Sequence, residues 1–283
     1  MTQKGQWEKE VIVLIPQYNR PEELTRCLDS LRRNTTNDKY DLLIVDDCSP
    51  MEREAMGVIN SMSATQSNWR MIKTPQNGGF TKCVNYGIKY LQHHRAEYKY
   101  ILLLNNDAVV GPDWLPRMVS AFDDPKDVGI VAPFTAVWCP DSIYPTPVGW
   151  DRPYATEGNP IDVRTAMIDE FNSMMWYEEH VGFSGVLIRL DLFEKYGLFD
   201  ERFNVIAQDL DWSHRIGKYG WRTKVIGLRP GEIHLIGHHG RTHIDLKPSE
   251  EIDPLVEADN RLIREIWPEK YDHQLNKRHW GLR

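Results

Sequence analysis

Three unbroken apolar runs, each ending in polar residues, constrain the fold of this chain most strongly. The runs are Val11 to Ile15, Leu42 to Val45 and Tyr100 to Leu104. An apolar run without alternation is typical of a strand buried on both faces, and such strands belong to parallel sheets. Segments with apolar residues at helical spacing lie between the runs, beginning with the stretch that Pro21 opens. The pattern predicts an α/β fold in which helices and strands alternate around a doubly wound, mostly parallel sheet.

Polar residues follow each of these predicted strands directly. In open α/β sheets ligands bind at the carboxyl ends of the strands, so these residues are candidates for a binding site. The candidates are Tyr18, Asn19, Asp46, Asp47, Asn106 and Asp107. The glycine-rich segment at 77–80 is not a G-x-G-x-x-G fingerprint, and the sequence contains no P-loop. A dinucleotide enzyme or an ordinary ATPase is therefore disfavoured.

Charge and cysteine usage narrow the class of protein further. The 283 residues include 34 Lys and Arg against 41 Asp and Glu, a net charge of −7, which lacks the basic footprint of a nucleic-acid-binding protein. The four cysteines form no C-x-x-C pair and are expected to be reduced, mostly buried thiols. With no run of about 18 apolar residues and no apolar signal-peptide core, a cytoplasmic protein is expected.

Seven motifs occur in an order that resembles the inverting nucleotide-sugar glycosyltransferases of family two. They include Ile-Val-Asp-Asp-Cys-Ser at 44–49, Leu-Leu-Leu-Asn-Asn-Asp at 102–107 and Gln-Asp-Leu-Asp-Trp at 208–212; the others lie at 13–21, 77–88, 183–189 and 197–203. The resemblance covers about residues 10–245 and implies the Rossmann-like GT-A fold, a mixed, mostly parallel sheet flanked by helices.

The resemblance also implies a division of the chain. A catalytic domain is expected over 1–245, with a nucleotide-sugar donor half at about 1–130 and an acceptor half at 131–245 that contains a variable loop at 134–180. A C-terminal helical extension is expected over 246–283, where a charged helix is predicted around Pro254 to Trp267.

The resemblance places the donor site in the first half of the chain. Asp46 matches the carboxylate that binds the base or ribose, whereas for Asp47 capping of the following turn is an equal alternative. Gly79 is implied as a donor contact, because glycine permits close approach of the backbone and a helix N-terminus favours phosphate. Lys82 is a phosphate partner or a merely solvated side chain. The remaining implied donor contacts are Pro16, Tyr18, Asn19, Asn77, Asn85 and Asn106.

A divalent cation is expected because acidic strand ends would repel a diphosphate. Mg²⁺ and Mn²⁺ take oxygen ligands, typically one or two carboxylates plus substrate phosphates. The family's D-x-D element binds the metal through its last residue, here Asp107, while its first position is Asn105. A C-terminal histidine completes the site in similar enzymes, and the motif indicates His238, with His234 as the alternate. The expected cofactor is Mn²⁺ or Mg²⁺.

The acceptor hydroxyl needs a base, and a carboxylate in a partly desolvated cleft can supply it. The family's Glu-Asp-x-Asp motif reads here from Gln208 to Asp211, which leaves Asp209 as the base, with a helix N-cap as its structural alternative. Asp211 is expected to pair with Arg215 one turn on. The predicted contacts to acceptor or donor sugar are Ser184, Gly185, Trp138 and Asp211.

These residues together predict a metal-dependent inverting glycosyltransferase. Its donor is expected to be linked to UDP or dTDP, and its acceptor to be a glycan, a glycolipid, a protein or a modified nucleic-acid base; a homodimer is one assembly that the chain allows. Two alternatives stay open. Asn105 and Gln208, where the family has carboxylates, suggest a noncatalytic nucleotide-sugar-binding relative. The histidines at 234, 238, 239 and 243 suggest a metallohydrolase, although no His-Glu-x-x-His motif is present.

Overall fold

The computed structural model of the protein describes residues 9–36, 39–63, 68–94, 96–123, 126–133, 135–139, 142–146, 175–178, 181–227, 229, 235–238 and 249–270. Twelve strands occur in these residues. In chain order they are β1 (Val11–Gln17), β2 (Tyr40–Asp46), β3 (Trp69–Lys73), β4 (Tyr100–Leu104), β5 (Ala108–Val110), β6 (Val128–Pro133), β7 (Thr135–Cys139), β8 (Ser142–Thr146), β9 (Met175–Glu178), β10 (Gly185–Arg189), β11 (Arg222–Ile226) and β12 (Ile236–His238).

Eight of these strands form a central sheet in the order β3, β2, β1, β4, β10, β6, β11, β9. The first four strands run parallel, as do β6 and β11, whereas β10 is antiparallel to both β4 and β6 and β9 is antiparallel to β11. A second sheet has the order β5, β12, β7, β8. The predicted mixed, mostly parallel sheet is therefore confirmed, with two antiparallel members in its second half.

Helices cover both faces of the central sheet. They are α1 (Pro21–Asn34), α2 (Glu52–Ser63), α3 (Gly79–His93), α4 (Trp114–Ser120), α5 (Asp191–Tyr196), α6 (Gln208–Gly217) and α7 (Ser249–Ile266), which a 3-10 turn at Pro268–Lys270 follows. The sheet has an apolar core on each face, and alternate residues of β1 belong to different cores. Val11 and Val13 pack with α1, α2 and α4, while Ile12 and Leu14 pack with α3, α5 and α6. Burial on both faces explains why these strands are unbroken apolar runs. None of the described helices is long and apolar enough to cross a bilayer.

The first strand extends further than its sequence predicts. The apolar pattern ends β1 before Pro16, but β1 continues through Pro16 to Gln17. Its pairing with β4 stops at Leu14 opposite Leu103, whereas its pairing with β2 continues to Gln17 opposite Asp46. A strand position paired on one side tolerates a proline, because the missing N–H need not cost a ladder bond.

Gly87 of α3 lies directly against the central sheet. A Cβ atom at this position would meet Leu14 Cδ1 at 2.6 Å and Val45 Cγ2 at 2.8 Å. We expect Gly87→Ala to lower the free energy of unfolding by about 1–3 kcal/mol, since overpacking a tight core forces side chains off their preferred positions. Gly57 of α2 is the control, because it is exposed and a Cβ there meets nothing within 4 Å. Gly57→Ala should raise stability by up to about 1 kcal/mol. Urea denaturation of both variants measures the difference, and equal stabilities would contradict the packing argument.

The C-terminal helix packs on the body of the protein through its own small core. Ile263 and Trp267 form an apolar cluster with Phe203, Ala207 and Leu210, which lie just before and within α6. In its described part, the predicted C-terminal extension is thus joined to the segment that carries the predicted base.

Candidate active site

The strand register gathers the predicted site residues at one edge of the central sheet. Gln17 at the end of β1 lies opposite Asp46 at the end of β2, and Leu104 at the end of β4 lies opposite Gly185. Because β10 is antiparallel to β4, its beginning lies at the edge where the parallel strands end. The polar segments at 18–19, 46–47 and 105–107 and the turn at 182–184 therefore share this edge, which we call the strand-end edge.

A hydrogen-bonded network joins the ends of β1 and β2. The Ser49 N–H donates to Asp46 Oδ2 at 2.8 Å, and Ser49 Oγ donates to Asn19 Oδ1 at 2.9 Å. The Asn19 N–H donates back to Ser49 Oγ at 2.9 Å. Ser49 and Asp46 are buried, so these bonds are shielded from water and hold the two loops in one arrangement.

The same network continues to the end of β4 through a buried glutamine. The side-chain amide of Gln17 donates to the Asn19 carbonyl, and its Oε1 accepts a 2.8 Å bond from Asn106 Nδ2. Gln17 is 1% exposed and Asn106 is 5% exposed. Sequence reasoning missed Gln17 and Ser49, although both lie inside recognised motifs. The available signal was a polar residue that ends an otherwise apolar strand.

Asp46 combines burial with unused hydrogen-bonding capacity. Its side chain is fully buried, and Oδ1 has no hydrogen-bond partner among the described residues. Burial raises the pKa of this carboxyl, while the bond from the Ser49 N–H acts in the opposite direction. An unsatisfied buried carboxylate oxygen is energetically costly, and such costs are concentrated at functional sites.

Asp47 holds the turn that precedes α3, whereas the predicted structural alternative was the turn that directly follows Asp47. Its carboxylate accepts hydrogen bonds from Gly78 N–H at 3.0 and 3.1 Å and from Gly79 N–H at 2.7 Å. Asn77 Nδ2 and Thr74 Oγ1 donate to the same carboxylate at 3.1 and 3.0 Å. The positive φ of Gly79, 77°, lets the chain wrap around Asp47.

Two of the predicted donor residues have hydrogen-bond partners within the protein. The N–H groups of Gly78 and Gly79 at the start of α3 donate to the Asp47 carboxylate. Asn85 is buried and brackets the backbone of Phe199, donating to its carbonyl at 2.9 Å and accepting from its N–H at 3.1 Å. Both groups stabilise the fold because protein partners already satisfy them. Lys82 remains exposed in the first turn of α3, and Tyr18 is half-buried after β1.

The second sheet brings the two predicted metal ligands to neighbouring backbone positions. Asp107 is 7% exposed and immediately precedes β5. β5 pairs with β12 so that Ala108 lies opposite His238. An aspartate and a histidine, with phosphate oxygens of a ligand, form a donor set that suits a small divalent cation. The register thus fits the predicted cation site.

Other parts of the metal prediction fall outside the described residues. The structure describes the backbone of His238 but not its side chain, and the same holds for Trp138, which lies opposite Ile143 in the second sheet. His234 and the other histidines behind the metallohydrolase alternative, at 239 and 243, are outside the described ranges. Within those ranges, no three His, Cys, Asp or Glu side chains converge as metal ligands.

Asp209 lies at the start of α6 and faces the strand-end edge. Its Oδ2 accepts a 3.3 Å hydrogen bond from Phe183 N–H, and its Oδ1 accepts a 2.9 Å bond from Leu210 N–H. The N-cap of α6 is Ala207, so Asp209 is not the helix cap that was its structural alternative. These two N–H groups orient the Asp209 carboxylate, and a carboxylate oxygen can accept more than one hydrogen bond.

The turn beside Asp209 contains the predicted small residues. Ser184 is half-buried, and a Cβ on the next residue, Gly185, would meet Ile236 Cγ2 at 2.9 Å. Gly185 therefore allows β10 to lie close to β12, which is a packing reason for the glycine. Asp209 contacts the backbone of Phe183, the residue directly before Ser184 and Gly185.

Asp211, a predicted sugar contact, is held by partners within the protein. It is 3% exposed, pairs with Arg215 as predicted, and accepts a 2.9 Å bond at Oδ1 from Trp267 Nε1. The residue is two positions from Asp209 on the helix, and this spacing places the two side chains on different faces. Asp211 therefore links α6 to the C-terminal helix.

Backbone strain is concentrated around this edge. The left-handed conformation is adopted by Asn19 and Arg20 after β1, by Cys48 after β2 and by Ala207 before α6, with φ values of 52°, 60°, 55° and 68°. Among described non-glycine residues Asp113 is the further case. Such conformations cost about 1 kcal/mol or more each and persist where the surrounding structure holds them, often at functional sites.

Comparison with known proteins identifies relatives of this chain. Residues 12–181, more than half of the chain, match the profile of Glycosyl transferase family 2. Minor teichoic acid biosynthesis protein GgaB of Bacillus subtilis (strain 168) is 30% identical over 122 residues, 42% of this chain and 13% of GgaB. O-antigen biosynthesis protein RfbC of Myxococcus xanthus is 25% identical over 280 residues, 88% of this chain and 18% of RfbC. The chain spans less than a fifth of either curated relative.

A solved structure shows the same architecture. The crystal structure of GalNAc-T7 with UDP, GalNAc and Mn²⁺ matches this chain with a TM-score of 0.61 at 15% identity, covering 81% of this chain and 43% of that one. At this identity the likeness concerns the fold, and it confirms the predicted GT-A architecture.

Proposed function

We propose, on the premise that the chain belongs to glycosyl transferase family 2, that it transfers a sugar from a nucleoside-diphosphate sugar to an acceptor hydroxyl with inversion. The observation that carries the proposal is the strand-end edge. The ends of three parallel strands place Asn19, Asp46 and Asp107 at the same edge as Asp209. Direct displacement needs a base close to the donor, and the shared edge of these residues supports the proposal.

The nucleotide is proposed to bind over the ends of β1 and β2. Tyr18 and Asn19 follow β1, and Asp46 Oδ1 can accept a hydrogen bond from a base N–H or a ribose hydroxyl. UDP and dTDP are the donor nucleotides that we propose.

The diphosphate is proposed to lie near Asp107 and His238, with Mn²⁺ or Mg²⁺ between. A bound divalent cation supplies positive charge to the departing diphosphate, and GalNAc-T7 was crystallised with Mn²⁺. Asp107 and His238 are the residues that would hold it, and Asn106 is fixed beside them by its bond to Gln17. Lys82 is exposed in the first turn of α3, and we propose it as a further positive charge for the phosphates.

Asp209 is proposed to remove the proton from the acceptor hydroxyl. Two backbone N–H groups hold its carboxylate in one orientation, which lowers the cost of reaching a productive geometry. Attack from the side opposite the leaving diphosphate inverts the anomeric carbon. The acceptor class, a cytoplasmic location and a homodimer stay predictions.

A ligand panel tests the function directly. The purified protein is heated with UDP-, dTDP- and GDP-sugars, each with MnCl₂ or MgCl₂, and the melting temperature is recorded. A ligand at 100 times its dissociation constant stabilises the folded state by about 2.7 kcal/mol, which is a shift of several degrees. Release of nucleoside diphosphate then measures transfer or slow hydrolysis. Binding without any turnover across a broad acceptor set would favour the noncatalytic alternative, and no binding at all would refute the proposal.

Asp46→Asn is expected to weaken UDP binding about tenfold, since a hydrogen bond to a charged group contributes about 1.5–3 kcal/mol. Because burial raises the pKa of Asp46, the folded state disfavours the ionised carboxylate, and stability is lost as pH rises through that pKa. The variant removes this cost, so it should be at least as stable as wild type at pH 7. The stability difference should shrink on acidification. Calorimetric titration with UDP measures the affinity, and thermal unfolding at pH 7 and at a more acidic pH measures the difference in stability. Unchanged UDP affinity would remove Asp46 from the donor site.

A further inference from the structure

The C-terminal helix carries a buried carboxylate that holds a distant loop. Asp259 of α7 is 0% exposed. Its side chain accepts hydrogen bonds from three successive backbone N–H groups, those of Asn204 at 2.9 Å, Val205 at 2.7 Å and Ile206 at 2.9 Å. Asn204 Nδ2 adds a fourth bond at 3.1 Å. Successive N–H groups that converge on one anion form a nest, and hydrogen bonds to a charged acceptor are the stronger kind.

This loop leads directly to the proposed base. Residues 204–206 are followed by Ala207, whose φ of 68° turns the chain into α6, where Asp209 is the second residue. The Asp211 N–H donates to the Ala207 carbonyl at 2.9 Å and closes the first helical turn. The direction in which α6 starts, and with it the position of Asp209, therefore depends on the loop that Asp259 holds.

A second contact holds the other side of the same segment. Trp267 is 4% exposed, and its indole Nε1 donates to Asp211 Oδ1 at 2.9 Å. Its ring also lies 5.3 Å from the ring of His214 on α6. Together with the apolar cluster of Phe203, Leu210 and Ile263, these contacts join α7 and the residue that follows it to α6 and to the residues just before α6.

The loop also reaches the donor half of the protein. A Cβ placed on Gly79, at the start of α3, would lie 3.5 Å from the Asn204 carbonyl oxygen. The loop therefore lies against the turn that Asp47 holds.

We infer that α7 is a positioning element of the catalytic site, with Asp259 as the positioning residue that sets the place of Asp209 through the 204–206 loop. The inference rests on the proposed function for the role of Asp209. The helix lies beyond residues 12–181, the part that matches the family profile. Asp259 is remote from the strand-end edge in sequence and acts through the backbone, so its loss should reduce turnover more than donor binding.

Asp259→Asn tests this inference in the full chain. The amide keeps the size of the carboxylate but presents an N–H group to backbone N–H donors, so part of the nest is lost. We expect kcat to fall about 30- to 100-fold, the loss that a displacement of about 1 Å at a catalytic group causes. KM for the donor should stay within about threefold, because the donor residues are untouched. Hydrogen exchange at the amides of 204–206 should accelerate at least about tenfold.

The matched control is Glu257→Gln, which removes one negative charge from an exposed position on the same helix. It should leave kcat, KM and exchange at wild-type values. If Asp259→Asn does not fold, Trp267→Phe keeps an aromatic ring against His214 and removes only the indole donor to Asp211. That variant should lower kcat about three- to tenfold, as one lost hydrogen bond of about 1 kcal/mol implies, with KM unchanged.

The outcomes separate this inference from the proposed function. Unchanged exchange at 204–206 in Asp259→Asn, or faster exchange with wild-type kcat, would overturn the positioning role. Equal losses in kcat and in donor affinity would also overturn it, since they indicate general damage. If the wild-type protein turns over no donor, the proposed function fails, while hydrogen exchange still decides whether Asp259 holds the segment.

Discussion

Asp209→Asn is expected to lower kcat for sugar transfer about 1,000-fold, within the range of about 10²- to 10⁴-fold that a general base contributes. Asparagine keeps the shape of the side chain, and its single Oδ1 can accept one of the two bonds that the Phe183 and Leu210 N–H groups donate to the carboxylate, but it cannot take a proton. The affinity for nucleoside diphosphate and the melting temperature should change little, because the donor contacts lie at the ends of β1, β2 and β4. Initial-rate kinetics with a saturating donor measure the loss.

The control for this variant is Asp191→Asn, which changes an exposed carboxylate in the first turn of α5, where it pairs with Lys195 at the surface. It should retain wild-type turnover, since exposed ion pairs contribute little to stability. A fully active Asp209→Asn variant would show that another group accepts the proton. Loss of nucleotide binding in that variant would instead place Asp209 in the donor site.

Asp107→Asn is expected to abolish the Mn²⁺ dependence of nucleotide binding and to lower turnover about 1,000-fold. The loss corresponds to roughly 4 kcal/mol, in line with the several kcal/mol that a metal ion contributes by stabilising developing charge. The substitution removes a negatively charged oxygen ligand and keeps the side-chain volume at a position that is 7% exposed. Titration of UDP by calorimetry, with MnCl₂ and with EDTA, measures the effect: wild type should bind UDP far more tightly with the cation, and the variant equally with both.

Asp113→Asn provides the comparison for the cation site. Asp113 is an exposed aspartate shortly after β5, and its partner Arg229 is also exposed, at an N to O distance of 3.4 Å. This variant should keep the full response to Mn²⁺. If Asp107→Asn responds to Mn²⁺ as wild type does, the cation is held elsewhere and the pairing of β5 with β12 has no role in it.

The fold was largely predictable because its strands are buried on both faces. Burial on both faces requires apolar side chains at consecutive positions, and this requirement is readable in Val11 to Ile15 without any tertiary information. The prediction was wrong at Pro16, since tolerance of a proline depends on which neighbouring strand still pairs at that position. The antiparallel direction of β10 was also hidden, because an apolar strand reads the same in either direction.

The candidate site was predictable as a set of residues and less so as a set of roles. The grouping of Asp46, Asp107 and Asp209 at one edge was predictable, because strand ends and helix starts are marked in the sequence. The partners of Asp47 and Asp211 were not readable with certainty, since a carboxylate serves equally well as a ligand or as a cap. The five donated bonds at Asp47 and the Trp267 bond at Asp211 decide for the structural role.

The sequence by itself determined the alternation of helices and strands, the family motifs and the carboxylates that end the strands, since these depend on local pattern and residue type. Only the tertiary structure decided which of those carboxylates protein groups already satisfy. It also decided that β12 sets His238 beside Asp107 and that Asp259 holds the loop before Asp209. These pairings join segments more than 50 residues apart, and no local pattern encodes them, because they arise only when long-range packing brings the segments together.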